Sequence, residues 1–285
     1  MFRTIYIINF LIIVIKSQVF FGFKNYTEFK TGDFNILISV PHNGKLLPQD
    51  IPDRTEDIIG NLFNDPYTRI FAEQLSLEIT RLLNKEPFMV INNLDRMKMD
   101  PNRNPNQCCS PINENLDCHK THKEFHDFIN EFNKKMSKEF EQSLVIDIHG
   151  QYHLENWTEI GYLLSRNELN KPVLVESNKS SLQALKMRSN YDLESLIRGE
   201  YSLGAFLERK NYRIVPSPSI KSPGNGRYYS GGYITAAHKS NHSNSIQIEL
   251  SYLLRTNDSV AKMSAIDFAN SIAEFYNFHK FNNKI

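Results

Sequence analysis

The run Leu144-Val145-Ile146-Asp147-Ile148-His149-Gly150 limits the fold more than any other stretch of this chain. A short apolar run closed by glycine belongs to a strand buried on both faces, and open α/β sheets carry their chemistry just beyond the carboxyl ends of such strands. Asp147 and His149 are two residues apart, so a strand turns both to one side. An imidazole with a nearby carboxylate to fix its tautomer is a metal-ligand arrangement. A second apolar run, residues 34–40, ends in the same manner, in Pro41-His42-Asn43-Gly44. Two imidazoles, each delivered by a buried strand, point to one shared metal.

The other segments complete an α/β pattern. Apolar residues recur at helical spacing over residues 65–84, with Asp65 and Pro66 suited to an N-cap and first helical position. On local sequence the Asp65 carboxylate serves equally as a cap or as a metal ligand. Residues 45–64 read as a loop with a short helix, and residues 88–92 as a strand. A long amphipathic helix covers residues 120–139, and its His122 and His126 read as satisfied or exposed side chains, since HExxH lacks its glutamate here. Further strands are expected at residues 161–165, 212–215 and 245–250, helices at 193–209 and 259–276, and a peripheral polar stretch at 166–190. Neither repeat nor linker divides the chain, which predicts a single-domain mixed, mostly parallel β-sheet flanked by helices on both faces.

Lys+Arg and Asp+Glu nearly cancel, leaving a formal charge of +1 over 285 residues. That balance gives no support for a nucleic-acid or acidic-membrane partner and favours a small molecule or peptide. The N-terminus places Arg3 before an apolar stretch, residues 5–15, closed by Lys16-Ser17-Gln18. This pattern predicts a cleaved signal peptide over residues 1–20, a mature domain over 21–285, and no lasting membrane partner. Five N-x-S/T acceptors, Asn25, Asn156, Asn178, Asn241 and Asn257, fit a secreted glycoprotein. The three cysteines lie in one segment, where Cys118 is expected to pair with Cys108 or Cys109; a zinc site including His119 is the weaker alternative, because no CxxC occurs.

Anion recognition has two candidate loops. Residues 93–105 follow a strand and are rich in Asn, Arg and Pro, and Arg103 offers the fork that matches a carboxylate. The glycine-dense stretch 223–235 surrounds Arg227, with glycines that let backbone approach a ligand. Just downstream, Gln247 and Glu249 share one face of the strand over 245–250, and an acid on a strand bound for the core is costly unless used or paired.

These motifs together, Ser39-Val40-Pro41-His42-Asn43-Gly44, Asp65 at a helix start, Asp100-Pro101-Asn102-Arg103, Asp147-Ile148-His149-Gly150, Asn225-Gly226-Arg227 to Gly231-Gly232-Tyr233-Ile234-Thr235, and Ile246-Gln247-Ile248-Glu249-Leu250, resemble the N-formylglutamate amidohydrolase family over residues 39–255. The resemblance implies a phosphorylase/hydrolase-like, zinc-carboxypeptidase-like fold and cleavage of an N-acyl amide on an acidic amino acid or short peptide. It implies one Zn2+ per chain on His42, Asp65 and His149, with Glu249 and Arg103 catalytic and Arg103, Arg227, Asn102 and Asn225 binding substrate. The H-x-x-E acid of carboxypeptidases is missing, because Lys45 stands there, so Asp57, Asp53 and Asp147 are fallback ligands to Asp65. A non-catalytic carboxylate- or peptide-binding descendant of the fold is the competing expectation. A serine hydrolase is disfavoured by the lack of a G-x-S-x-G elbow.

Overall fold

The structure is a computed structural model and describes residues 18–55, 61–110, 116–175 and 178–285. Most of the expected signal segment, and Asp57, lie outside the described residues. Eight strands form one sheet: β1 (Val19–Phe21), β2 (Thr27–Lys30), β3 (Ile36–Val40), β4 (Phe88–Asn92), β5 (Ser143–Gly150), β6 (Thr158–Gly161), β7 (Ile214–Val215) and β8 (Ser243–Leu250). Their spatial order is β1-β2-β4-β3-β5-β8-β6-β7. The central run β4-β3-β5-β8 is parallel throughout, β6 runs antiparallel to β8, and β1 and β2 form an antiparallel edge. The carboxyl ends of the four parallel strands therefore open on one side of the molecule.

Apolar runs in β3, β4 and β5 reflect helices on both faces. On one face, α1 (Thr68–Leu83) and α8 (Asp258–Phe278) pack together and onto Ile36, Ile38, Ile146 and Ile248. Phe71 meets Phe268 edge-on at 5.3 Å at the centre of that layer. On the other face, α2 (Leu116–Met136) lays Phe125, Ile129, Phe132 and Met136 against Leu37, Val90 and Val145. Alternate residues of one strand thus feed two separate cores, as the period of two requires.

Several local expectations change. The apolar run at residues 161–165 is not a strand: β6 ends at Gly161, and Leu163 has a φ of 63° with its N–H donating to the Ser230 carbonyl. The helix expected over 193–209 is two helices, α5 (Leu193–Arg198) and α6 (Leu203–Glu208), separated at Gly199 and restarted by Ser202, whose hydroxyl caps the Ala205 N–H. Residues 166–190 carry α3 (Arg166–Leu169) and α4 (Gln183–Arg188) and bury Leu174, Leu182 and Leu185 in the main core, so the segment is not peripheral. A short helix, α7 (Tyr233–Ala237), follows the glycine-dense loop. Among the described residues no helix is long and apolar enough to cross a membrane. Cys109 and Cys118 form a disulfide, which leaves Cys108 as a buried thiol and removes Cys109 from the alternative zinc site with His119.

Candidate metal centre

Two adjacent parallel strands deliver the histidines of one cluster. His42 lies just past β3, and His149 is the penultimate residue of β5. Asp65 stands at the end of the loop before α1, tied back by its N–H donating to the His42 carbonyl at 2.7 Å. The helix begins three residues later with no side-chain cap, so the Asp65 carboxylate does not serve as an N-cap. It turns inward instead. His42 Nδ1 and Asp65 Oδ2 are 3.1 Å apart, His149 Nδ1 and Asp65 Oδ2 3.3 Å, and the two Nδ1 atoms 3.0 Å. All three side chains are buried.

The outer nitrogens decide what this triangle is. His42 Nε2 donates to Asp100 Oδ1 at 2.7 Å, and His149 Nε2 donates to Asp147 Oδ2 at 2.8 Å. Burial alone would raise the Asp100 carboxyl, but His42 and Arg96 hold it well below the usual carboxylate range, so it accepts and does not donate. In neutral rings with those protons committed outward, the facing Nδ1 atoms carry lone pairs, and Asp65 Oδ2 adds a third acceptor. Three converging acceptors repel unless a proton or a metal ion lies among them. Their spacing fits: ligand bonds of about 2.0–2.1 Å at tetrahedral angles put donor atoms about 3.3–3.4 Å apart. Burial opposes charge on His149, yet Asp147 and Asp65 raise its pKa well above 6.5, and the field that draws a proton to this spot would draw a dication more strongly. Asp65 is pushed up by burial and pulled down further by His42 and His149, which leaves it an anion.

Supporting bonds hold the cluster rigidly. Ser39 Oγ donates to Asp147 Oδ1 at 2.6 Å, and Arg96 Nε donates to Asp100 Oδ2 at 3.0 Å with its Nη1 3.7 Å from Asp65 Oδ1. Gly150 is required because a Cβ there would collide with the buried Arg255 guanidinium, which donates to the Gln151 and Pro66 carbonyls.

The cluster forms the floor of a cavity of about 520 Å³. Glu249 pairs in register with His149 across β5 and β8 and lines the same cavity. Burial, with Asp65 and Glu159 adding to it, pushes its carboxyl up to about 8 against the pull of His149 and Arg96. Gln247 Nε2 donates to Glu249 Oε1 at 2.9 Å and fixes the carboxyl.

Arg103 and Arg227 both line the cavity, Arg103 half-buried and Arg227 exposed at its rim. Asn102 also lines it, but its Oδ1 accepts from the Ile234 N–H, its amide donates to Gln247 Oε1 at 3.4 Å, and its backbone N–H donates to Asp100 Oδ1 at 2.8 Å, so it ties the wall to the residues around the cluster. Asn225 is not brought to the cavity; it is exposed in the turn closed by Gly226 N–H to Pro223 O. Asp53 pairs with Lys98 away from the cluster, and Asp147 stands behind His149. Sequence reasoning gave no role to Arg96 or to Asp100 by itself. The four-residue interval between them is the only trace of their pairing.

The comparisons bear on this arrangement. No family model matches the chain, and no curated protein matches it. Among solved structures, a gene product of Agrobacterium tumefaciens is 13% identical, with 87% of this chain and 90% of that one covered and a TM-score of 0.50. N-formylglutamate amidohydrolase from Ralstonia eutropha is 12% identical over 86% of this chain and 94% of that one, at a TM-score of 0.47. The N-acetylmuramyl-L-alanine amidase of Mycobacterium smegmatis is 10% identical over 85% and 97%, at 0.37. The first likeness speaks to the fold alone. What fold and site define together is a mixed α/β chain with a three-donor cluster, able to hold a cation, at the carboxyl ends of its parallel strands.

Proposed function

We propose that the protein is a zinc-dependent amidohydrolase that cleaves an N-acyl amide, formyl or similar, from an acidic amino acid or short peptide. The observation that carries this reading is the convergence of His42 Nδ1, His149 Nδ1 and Asp65 Oδ2 within 3.3 Å of one another, with the histidines' other nitrogens donated to carboxylates. Zinc held there would supply Lewis-acid activation of a water and of the scissile carbonyl, and three protein donors leave it an open position. Glu249, next to His149 on the cavity wall, takes the water's proton and returns it to the departing nitrogen. The raised proton affinity suits the return step, and a dication held beside Glu249 would lower it toward the anion that the first transfer needs. Arg103 faces the charge that develops on the carbonyl oxygen, and Arg227 at the rim orients a substrate carboxylate.

Secretion belongs to the same proposal. It is supported by the apolar segment at residues 5–15, by the Cys109–Cys118 disulfide, and by the exposure of all five asparagines of the N-x-S/T triplets.

The test is metal analysis followed by hydrolysis assays over formyl-, acetyl- and peptidyl-glutamate, with and without a chelator. Chelator-sensitive release of the amine supports the reading; zinc-loaded protein without turnover on any of them contradicts it.

A further inference from the structure

The cavity contains a third carboxylate–imidazole pair, and it differs from the two behind the metal centre. His153 Nδ1 lies 2.7 Å from Glu159 Oε1, as His42 and His149 lie against Asp100 and Asp147. In those two pairs the ring's other nitrogen belongs to the cluster. Among the described residues His153 Nε2 has no hydrogen-bond partner, although the residue is only 9% exposed and lines the cavity.

Glu159 is fully buried on β6, and both of its carboxylate oxygens are engaged. Its Oε1 also accepts from Trp157 Nε1 at 3.2 Å, and its Oε2 accepts from the Tyr229 N–H at 2.7 Å. Among the described residues the His153 ring is the one basic group within 4.0 Å of it. A buried carboxylate without a cation is costly, and the imidazole is the group placed to supply one. An imidazolium there donates one N–H to Glu159 and presents the other to the cavity, where a ligand carboxylate could accept it. The ring packs at a 39° tilt against Tyr229, centroids 4.7 Å apart, and Tyr229 follows Arg227 by two residues on the same wall.

We propose that His153, positioned by Glu159, is a substrate-binding residue whose Nε2–H takes a carboxylate of the ligand at the wall shared with Tyr229 and Arg227. The assignment deepens the amidohydrolase reading by naming a second anchor for an acidic substrate, apart from the metal centre. It rests on that reading for the identity of the reaction, but the anchor itself is a matter of binding.

The experiment is calorimetric titration of the zinc-loaded full chain with succinate and glutarate, each compared with the monocarboxylate of equal length, butyrate and pentanoate. Wild type is expected to prefer the dicarboxylate. His153→Phe keeps a ring against Tyr229 but loses the donor, and should cut that preference by about tenfold or more, the size of a lost hydrogen bond to a charged group. Glu159→Gln should lower it in the same direction, with the ring still present. Zinc content and monocarboxylate affinity, unchanged in both variants, show that the fold and the metal centre survive. A preference within twofold of wild type in His153→Phe, or no preference in wild type, would overturn the proposal. If wild type binds no zinc, the hydrolase reading falls, whereas the same comparison on the metal-free chain still decides for or against His153.

Discussion

His42 Nδ1 and His149 Nδ1 face each other at 3.0 Å across 107 residues of sequence, each with its proton held on the far side of the ring by an aspartate. On the zinc-dependent reading proposed above, the two aspartates are part of the centre's affinity. They keep the lone pairs turned inward and make the rings better donors. Asp100→Asn and Asp147→Asn should each weaken zinc binding by about 10- to 100-fold, measured by competition with a chromogenic chelator. Affinity equal to wild type in both would mean that the outer bonds do not orient the rings.

Glu249 is fixed by Gln247 and stands beside His149, but it is not one of the three converging donors. Glu249→Gln should accordingly retain zinc and lose at least about a hundredfold in kcat, the lower range for removing a general acid–base group. Paired metal analysis and steady-state rates check this. An active glutamine variant would remove Glu249 from the proposed role.

Much of this centre was legible in the sequence because buried parallel strands announce themselves: apolar runs over β3 and β5 lead into His42 and His149, and the alternation along β8 sets Gln247 and Glu249 on one face. Asp65 was visible as a carboxylate but ambiguous in role, since its place in the cluster depends on a bond to the His42 carbonyl across 23 residues of chain. Asp100 and Arg96 sit in a loop, where no periodicity relates one residue to the next. His153 and Glu159 owe their pairing to the strand-to-strand turn that precedes β6. The misplacement of β6 has a similar origin: Tyr162, Leu163 and Leu164 are apolar enough for a strand, yet Leu163 adopts a left-handed backbone because Ser230 claims its N–H. The edge strands β1 and β2 were hidden because Val19, Phe20 and Phe21 extend the apolar N-terminal stretch.

The packing of α1 on α8 underlies the position of Asp65, which enters α1 from the cluster. Phe71 is fully buried against Phe268, and Phe71→Ala should cost about 3–5 kcal/mol. Denaturant titration reads the loss. A cost below about 1 kcal/mol would show that the layer repacks around the gap.

Acid should destabilise the fold through a histidine pair outside the metal centre. His126 Nδ1 accepts from His238 Nε2 at 2.8 Å, and burial, with the neighbouring imidazoles, drives His126 down to about 2 and His238 to about 4. An unfolded imidazole protonates near about 6.5. Above that pH both states are neutral and the pair has no pH effect; between about 6.5 and 4 the unfolded chain binds protons that the folded chain refuses, so stability falls as pH falls. Urea midpoints at pH 7.5 and 5 should show the drop, and His238→Gln, which keeps an N–H for His126, should make it smaller. An equal drop in that variant would assign the effect elsewhere.

The central claim is that three buried acceptor atoms converge because they hold a metal ion. Elemental analysis of purified protein, beside His42→Ala and His149→Ala, tests it most directly. One equivalent of zinc per wild-type chain, absent from both variants, is the predicted result; wild type without bound metal, or variants that keep a full equivalent, would contradict it.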